Sequence, residues 1–104
     1  MKKAVKYDGE KLRFDLVPPA AEEALASILT YGAKKYADRN WELGLDHSRL
    51  YGAARRHLAK YWAGQDIDSG KKGSGLPHLH HAFCCIAMLI ELQRTHPELD
   101  NRPK

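Results

Sequence analysis

Nine consecutive apolar residues, from Ala82 to Ile90, are the feature that most limits how this chain can fold. A helix over this run is apolar on every face, so other elements of the chain or a second subunit must cover it. The run is too short to span a bilayer, which requires about 20 apolar residues. We therefore expect a central helix from about Pro77 to Arg94, with the proline in its first turn.

The rest of the chain predicts two more helices and no strand. Apolar residues recur every three or four positions from about Ala20 to Tyr36, after Pro19 at a favourable entry point. A second helix is expected from about Ser48, a suitable N-cap, to about Ala63. The apolar stripe expected to be buried on this second helix consists of Leu50, Ala54, Leu58 and Trp62.

The chain of 104 residues is therefore expected to form one small all-α domain with three main helices. Residues 20–94 are its helical core. Residues 1–19 precede the core as an extended arm, because two consecutive prolines disfavour helix up to that point, and residues 95–104 follow as a tail. A domain of this size buries a modest fraction of its surface, so association with a second copy would complete it.

Charge and cysteine content limit the classes of function. The 17 Lys and Arg residues outnumber the 13 Asp and Glu residues, and the net charge of +4 would attract phosphate-bearing partners. The basic residues are dispersed and no nucleic-acid motif is present, so nucleic-acid binding is not favoured as the main role. Cys84 and Cys85, the only cysteines, suit a reducing compartment. No secretory signal pattern follows Met1, so we expect a cytoplasmic protein without a membrane partner.

Acidic and histidine side chains suggest where a metal ion could bind. Asp66 and Asp68 open the loop after the second helix, and their oxygens could bind Mg²⁺ or Mn²⁺; alternatively, both are solvated loop residues. His78 and His81 share one helix face with Cys85 and could bind zinc, although no second cluster supplies the remaining ligands. Hydrogen bonding at the helix start or in the core is the alternative role for the histidines.

Basic and aromatic residues near the helix ends could bind a phosphorylated ligand. Lys35 and Arg39 lie near the C-terminus of the first helix, where they either offset the helix dipole or contact a phosphate. Arg56 lies in the second helix, and Trp41 could stack on a base. A Walker-type phosphate loop is absent, and Ser74 lacks the preceding strand of a nucleophile elbow, so a serine hydrolase is not expected.

Several sequence blocks occur in an order that resembles a known family. They are Lys6-Tyr7-Asp8, Lys11-x-Arg13-Phe14-Asp15-Leu16-x-Pro18-Pro19, Tyr31-Gly32-Ala33-Lys34-Lys35-Tyr36, Arg39-Asn40-Trp41, Arg56-His57-Leu58 and Ser74-Gly75-Leu76-Pro77-His78-Leu79. Together they resemble the phage and bacterial family called dATP/dGTP diphosphohydrolase, N-terminal. This family looks like a branch of the all-α, MazG-like nucleotide pyrophosphohydrolases.

The resemblance implies a homo-oligomer, dimeric or tetrameric. It also implies that pyrophosphate is released from a purine deoxynucleoside triphosphate with Mg²⁺ or Mn²⁺ as cofactor. Carried over to this chain, it implies nucleotide contacts by Lys35, Asn40, Trp41, Arg56 and His57, and places Asp68, His78 and His81 around metal and phosphates. The full nucleotide-binding set that we expect is Lys35, Tyr36, Arg39, Asn40, Trp41, Arg56 and His78. The expected catalytic residues are Asp66, Asp68, His57 and Arg56, and the expected metal ligands are Asp66, Asp68 and His81.

Two departures from the family pattern support a second hypothesis. Gln65 and Gly73 stand where family members usually carry Glu, and an apparent insertion over residues 69–73 adds Lys71 and Lys72. A loop with fewer carboxylates holds divalent ions more weakly. The alternative is therefore a protein that binds and sequesters a nucleotide without effective hydrolysis, for example a phage protein that captures a cyclic-nucleotide immune signal.

Overall fold

Three α-helices form the body of the protein, as the periodicity predicts. A computed structural model describes all 104 residues. Helix α1 spans Pro19–Lys35, α2 spans His47–Trp62 and α3 spans His78–Thr95, so each boundary lies within one residue of its predicted position. The all-α class is confirmed, because the only β-type pairing is an isolated bridge between Ile67 and Pro77.

Helix α3 packs against the other two helices on one face and is exposed on the opposite face. It packs against both α1 and α2, and Ala82, Cys84 and Leu92 on that inner face are almost fully buried. Cys84 is a free thiol, and burial raises its pKa to about 12, so it is protonated at neutral pH. The opposite face carries four large apolar side chains that remain exposed: Leu79, Phe83, Ile86 and Ile90.

The predicted stripe of α2 is buried only in its first half. Leu50 and Ala54 are buried, whereas Leu58 is partly exposed and Trp62 is 88% exposed. The prediction was wrong for the second half because His57, one position earlier, makes the contact with α3. A shift of one residue rotates a side chain by about 100° around the helix, and Leu58 therefore turns away from α3.

The start of α2 is also capped differently from the prediction. Asp46, not Ser48, is the N-cap residue, and its side chain makes no capping hydrogen bond. Ser48 instead lies in the first turn, where its backbone N–H donates to the Asn101 side-chain oxygen at 2.9 Å. The Asn101 amide in turn donates to the Ser48 hydroxyl at 2.7 Å. A residue far along the chain thus satisfies an N–H group that the helix leaves free.

Residues after α3 fold back on the start of α2. They include the 3₁₀ helix Pro97–Leu99. The His96 ring hydrogen-bonds through Nε2 to the backbone carbonyl of Glu42, at 3.0 Å, so this segment also holds the 3₁₀ helix Asn40–Leu43.

The first 18 residues extend away from the helices. Every one of them is exposed, and the longest dimension of the molecule is 58 Å. Their only regular element is the 3₁₀ helix Phe14–Leu16. None of the three α-helices combines the length and the apolar character that a membrane crossing requires.

Candidate functional site

A cavity of about 1040 Å³ opens between α1, the 3₁₀ helix Asn40–Leu43, α2 and α3. This volume is at the upper end of the range for small-molecule sites in proteins. Side chains from distant parts of the sequence meet on its wall. Those that the sequence predicts as site residues are Lys35, Tyr36, Arg39, Asn40, Trp41, Arg56, His57, Asp68 and His81.

The wall of the cavity carries more positive than negative charge. Five cationic side chains line it (Lys35, Arg39, Arg49, Arg56 and Lys72), against three carboxylates (Asp38, Glu42 and Asp68). The lining also includes the apolar side chains Ile28, Leu29, Leu50 and Met88. A ligand that combines anionic groups with a flat or apolar part would match this mixed lining.

Arg39 holds a strained backbone conformation at the edge of the cavity. Its φ of 58° makes it the one non-glycine residue of the chain in the left-handed region. This conformation costs about 1–2 kcal/mol for a residue with a Cβ atom. Strain of this kind is often retained at ligand-binding positions. Here it starts the turn that presents Asn40 and Trp41 to the cavity.

Three histidines form a contact cluster at the end of α2 and the start of α3. The Nδ1 atoms of His57 and His78 lie 2.8 Å apart, so one ring donates and the other accepts. The ring of His57 stacks on that of His81 with centroids 4.5 Å apart. Burial and the two neighbouring rings lower the pKa of His57 to about 4, and burial lowers the pKa of His81. His57 is therefore neutral at pH 7.

Ser74 connects His81 to Asp68. The Ser74 hydroxyl lies 2.6 Å from Nε2 of His81, and the Ser74 backbone N–H donates to a carboxylate oxygen of Asp68 at 3.3 Å. The same carboxylate oxygen lies 3.8 Å from that Nε2 atom. Burial raises the pKa of Asp68, but the Ser74 hydrogen bond and the histidines together lower it below its ordinary value.

This Ser-His-Asp group is not a serine-hydrolase triad. In a triad, the serine and the carboxylate contact opposite nitrogens of the imidazole. Here Ser74 and Asp68 both lie on the Nε2 side of His81. The hydroxyl also accepts a hydrogen bond from the backbone N–H of Leu76. Ser74 therefore orients the ring of His81 and the carboxylate of Asp68.

A tight turn over residues 69–73 shapes the loop before α3. The backbone N–H of Gly73 donates to the Gly70 carbonyl, and that of Gly75 donates to the Asp68 carbonyl. A Cβ atom on Gly73 would lie 2.4 Å from the Asp68 carbonyl oxygen, so only glycine fits this position. The turn places Lys72, but not its neighbour Lys71, on the cavity wall.

Two of the expected site residues lie outside the cavity. Asp66 is exposed, and its backbone carbonyl accepts a hydrogen bond from the His78 N–H. His78 is 2% exposed, and its ring points toward His57 behind the cavity wall. A direct nucleotide contact by His78, as the sequence analysis expects, does not match this placement.

The expected metal ligands do not converge as a set. Asp68 and His81 approach each other, but Asp66 lies apart, and no group of three or more His, Cys, Asp or Glu side chains is arranged to hold a metal ion. The His78, His81 and Cys85 face of α3 likewise forms no such group. Of the three expected metal ligands, Asp68 and His81 therefore line the cavity and Asp66 does not.

Nearly the whole chain matches a known protein family. Residues 1–102 match the family described as dATP/dGTP diphosphohydrolase, N-terminal. The chain belongs to this family. A relative from Salmonella phage PMBT28, named dATP/dGTP diphosphohydrolase, is 32% identical over 98 residues, which cover 94% of this chain. The match covers 32% of that relative, so this chain spans about a third of its length. No solved structure matches the chain.

The family blocks that lie far apart in sequence meet in the structure of this dATP/dGTP diphosphohydrolase family member. Residues 31–36, 39–41 and 56–58 each contribute side chains to the cavity wall, and residues 74–79 lie at the start of α3 beside it. The departure at Gly73 also has a structural basis. Since no side chain fits there, the glycine and the turn over residues 69–73 depend on each other.

Some site residues do not follow from the sequence reasoning. Lys72 lines the cavity, and Ser74 links His81 to Asp68. The Ser74 block of the family pattern was a usable signal for the last of these. Nothing in the sequence distinguishes Lys72 from Lys71, because the path of the turn alone decides which lysine reaches the cavity.

Proposed function

We propose that this chain binds a purine nucleoside triphosphate in the cavity and, with a divalent metal ion, hydrolyses it to a monophosphate and pyrophosphate. The observation that carries the proposal is the convergence of cationic and aromatic side chains from α1, α2 and the segment between them. Family membership and the name of the phage relative support a nucleotide as the ligand.

Cations from three different elements would bind the phosphates. Lys35 ends α1, Arg56 lies in α2 and Lys72 lies in the loop before α3, and all three line the cavity. Hydrogen bonds from charged donors to phosphate are about twice as strong as neutral ones. Trp41, half-buried on the same wall, supplies a flat surface on which a base could stack.

The metal requirement is proposed from the chemistry of Asp68. Its lowered pKa keeps the carboxylate ionised at neutral pH. Mg²⁺ is commonly held by one or two carboxylates together with substrate phosphates and water, so Asp68 with the triphosphate would suffice, and His81 lies next to it. When bound, such an ion polarises phosphoryl oxygens and lowers the pKa of water.

The remaining residues would position the reacting groups. Hydrolysis forms a bond from a water oxygen to the α-phosphorus, while the bond from that phosphorus to the oxygen bridging the α- and β-phosphates breaks. Arg56 and Lys35 would stabilise the charge that develops on the phosphate oxygens. Because His57 is neutral at pH 7, it would act through hydrogen bonding and not as a fixed positive charge. His78 would orient His57 through their Nδ1 contact.

A second candidate function is nucleotide binding without hydrolysis. The specific observation in its favour is the lack of a converging set of three metal-ligating side chains, against five cations on the cavity wall. Such a site would hold phosphates tightly and bind a metal weakly. The ligand could then be a cyclic nucleotide as well as a triphosphate.

One experiment distinguishes the two candidates. The purified protein is incubated with a pool of nucleoside and deoxynucleoside triphosphates and cyclic dinucleotides, with and without Mn²⁺, and mass spectrometry follows products and protein-bound species. Monophosphate and pyrophosphate that appear only with metal would support the enzyme. An intact nucleotide released on denaturation, without product, would support the binding protein.

Two matched variants test the role of the acidic loop. Asp68→Asn should abolish turnover, while Asp66→Asn should retain most of it, because only Asp68 faces the cavity. Circular dichroism checks that both variants fold. Equal loss of turnover in the two variants would indicate that Asp66 is also a metal ligand. Full turnover by Asp68→Asn would exclude Asp68 as a metal ligand.

We also propose that the protein is a homo-oligomer in the cytoplasm, as the family resemblance implies. Only 9 of its 104 residues are buried in the single chain. The outer face of α3 carries four large apolar side chains that remain exposed in the single chain. Analytical ultracentrifugation at micromolar concentration measures the state directly.

A further inference from the structure

The N-terminal arm, residues 1–18, has little contact with the rest of its own chain. Its hydrogen bonds lie within the arm, such as that from the Lys11 backbone N–H to the Asp8 carbonyl and the pair between Arg13 and Asp15, or at its junction with α1, where the Pro18 carbonyl accepts from two backbone N–H groups. Nevertheless the arm carries large apolar side chains, all exposed: Val5, Tyr7, Leu12, Phe14, Leu16 and Val17. An isolated segment with this composition gains stability only when another surface covers it.

A surface of matching character lies on the outer side of α3. Leu79, Phe83, Ile86 and Ile90 follow each other at steps of four, three and four residues, so they form one stripe along the helix. We call it the α3 outer stripe. All four side chains are between 39% and 66% exposed, while the opposite face of α3 is packed against α1 and α2.

We propose that the arm of one copy packs on the α3 outer stripe of a second copy, and that the second copy's arm returns the contact. Each chain carries both an arm and an α3 outer stripe. Two copies related by a two-fold axis can therefore cover each other's arm and stripe, and the result is a closed dimer. The proposal deepens the self-association proposed above and does not depend on whether the protein hydrolyses or only binds a nucleotide.

The available area is sufficient for a stable dimer. A standard interface buries about 800 Å² on each partner. Buried aromatic side chains contribute about 150–250 Å² each, so Tyr7 and Phe14 alone supply roughly half of that area. Four aliphatic side chains on the same arm supply the remainder.

The experiment is photo-crosslinking between isotopically distinct copies. A photoreactive phenylalanine analogue replaces Phe14 in both an unlabelled and a ¹⁵N-labelled preparation. The two are mixed in denaturant, refolded together so that subunits of both labels combine, and irradiated. Mass spectrometry then identifies the peptides joined to position 14. We expect mixed-label products that join the arm to the peptide containing Phe83 and Ile86. Products with only same-label pairs would show that the arm folds back on its own chain, and a mixed-label product elsewhere would refute the proposed surface.

A pair of variants tests the energetic contribution of the contact. Phe14→Gln should weaken dimerisation at least about tenfold in ultracentrifugation, the loss expected of an anchoring aromatic residue. Lys11→Gln, on the same arm, should change it less than twofold. Since Phe14 and Lys11 are both exposed in the single chain, neither variant should unfold the monomer, which circular dichroism verifies. A monomeric wild-type protein, or equal effects of the two variants, would overturn the proposal. Nucleotide binding is measured separately on the same samples.

Discussion

The Nδ1 atoms of His57 and His78 share a single hydrogen bond of 2.8 Å. Both rings use the same type of nitrogen, so exactly one of the two carries the proton in the contact. If His78 donates, neutral His57 carries its own proton on Nε2; if His57 donates, its Nε2 is a free acceptor. The buried residue thus controls whether a cavity residue is a donor or an acceptor.

The first prediction concerns the effect of His78 on His57. Burial is the largest cause of the low pKa of His57, and the neighbouring His81 and His78 lower it further. Replacing His78 with Gln removes one of these groups and keeps a polar side chain. The pKa of His57 should rise above about 4 and stay below 6.5, as measured by NMR titration of its ring. An unchanged value would mean that His78 has no electrostatic influence on the site.

The second prediction compares the two lysines of the loop turn. Lys72 lines the cavity and Lys71 does not. Lys72→Ala should therefore weaken triphosphate binding at least about tenfold, the effect of losing one charge-assisted hydrogen bond of about 1.5 kcal/mol or more. Lys71→Ala should stay within about twofold in the same calorimetric titration. If both variants lose affinity equally, the contribution comes from general charge and not from the path of the turn.

The third prediction tests the strained backbone of Arg39. In the variant Arg39→Ala the positive φ remains unfavourable, whereas Arg39→Gly relieves it. Both variants lose the exposed ion pair with Glu42. The glycine variant should be more stable than the alanine variant by about 1 kcal/mol in urea denaturation. Both variants should bind a triphosphate equally weakly, because both lack the Arg39 side chain. A glycine variant that is less stable than the alanine variant would show that the backbone of residue 39 is not strained.

Local signals in the sequence predict the helices well. Pro19, Pro77 and the glycine after α2 mark boundaries by backbone geometry alone, and α1 to α3 begin and end within one residue of the predictions. The direction of side chains is less predictable. In the last turns of α2, His57 and not Leu58 faces α3, because the ring of His57 hydrogen-bonds to that of His78.

The site could be predicted only where family blocks or local spacing reveal it. The convergence of Lys35, Trp41 and Arg56 follows from the family blocks. The positions of Asp66 and His78 could not be predicted, because they depend on which way the loop before α3 runs. The hydrogen bond from the Ser48 N–H to Asn101 could not be predicted either, because Asn101 lies 53 residues further along the chain.

The fourth prediction follows from that long-range cap. Asn101→Ala removes both hydrogen bonds to Ser48 and should lower the free energy of unfolding by about 1 kcal/mol, typical of a lost helix cap. For a domain of this size the corresponding drop in melting temperature is about 4–8 °C. Asn101→Asp keeps an acceptor for the Ser48 N–H and adds a charge that favours the helix N-terminus, so it should recover most of the loss. Equal destabilisation by both substitutions would argue against capping.

The fifth prediction is a loss of stability between pH 6.5 and pH 4. His57 has a pKa of about 4 in the folded protein, against an ordinary value of about 6.5 in the unfolded chain. The unfolded chain therefore binds more protons in this window, and the free energy of unfolding falls as the pH decreases through it. The lowered pKa of His81 acts in the same direction.

Removing the titrating ring should flatten this dependence. In His57→Asn, chemical denaturation at a series of pH values should show a smaller loss of stability from pH 6.5 to pH 4 than in the wild-type protein. The two proteins should lose stability alike between about pH 3.8 and pH 2, because Asp100, whose pKa is lowered to about 2 mainly by Arg102, titrates there in both. Parallel curves over the whole range would mean that protonation of His57 is not coupled to unfolding.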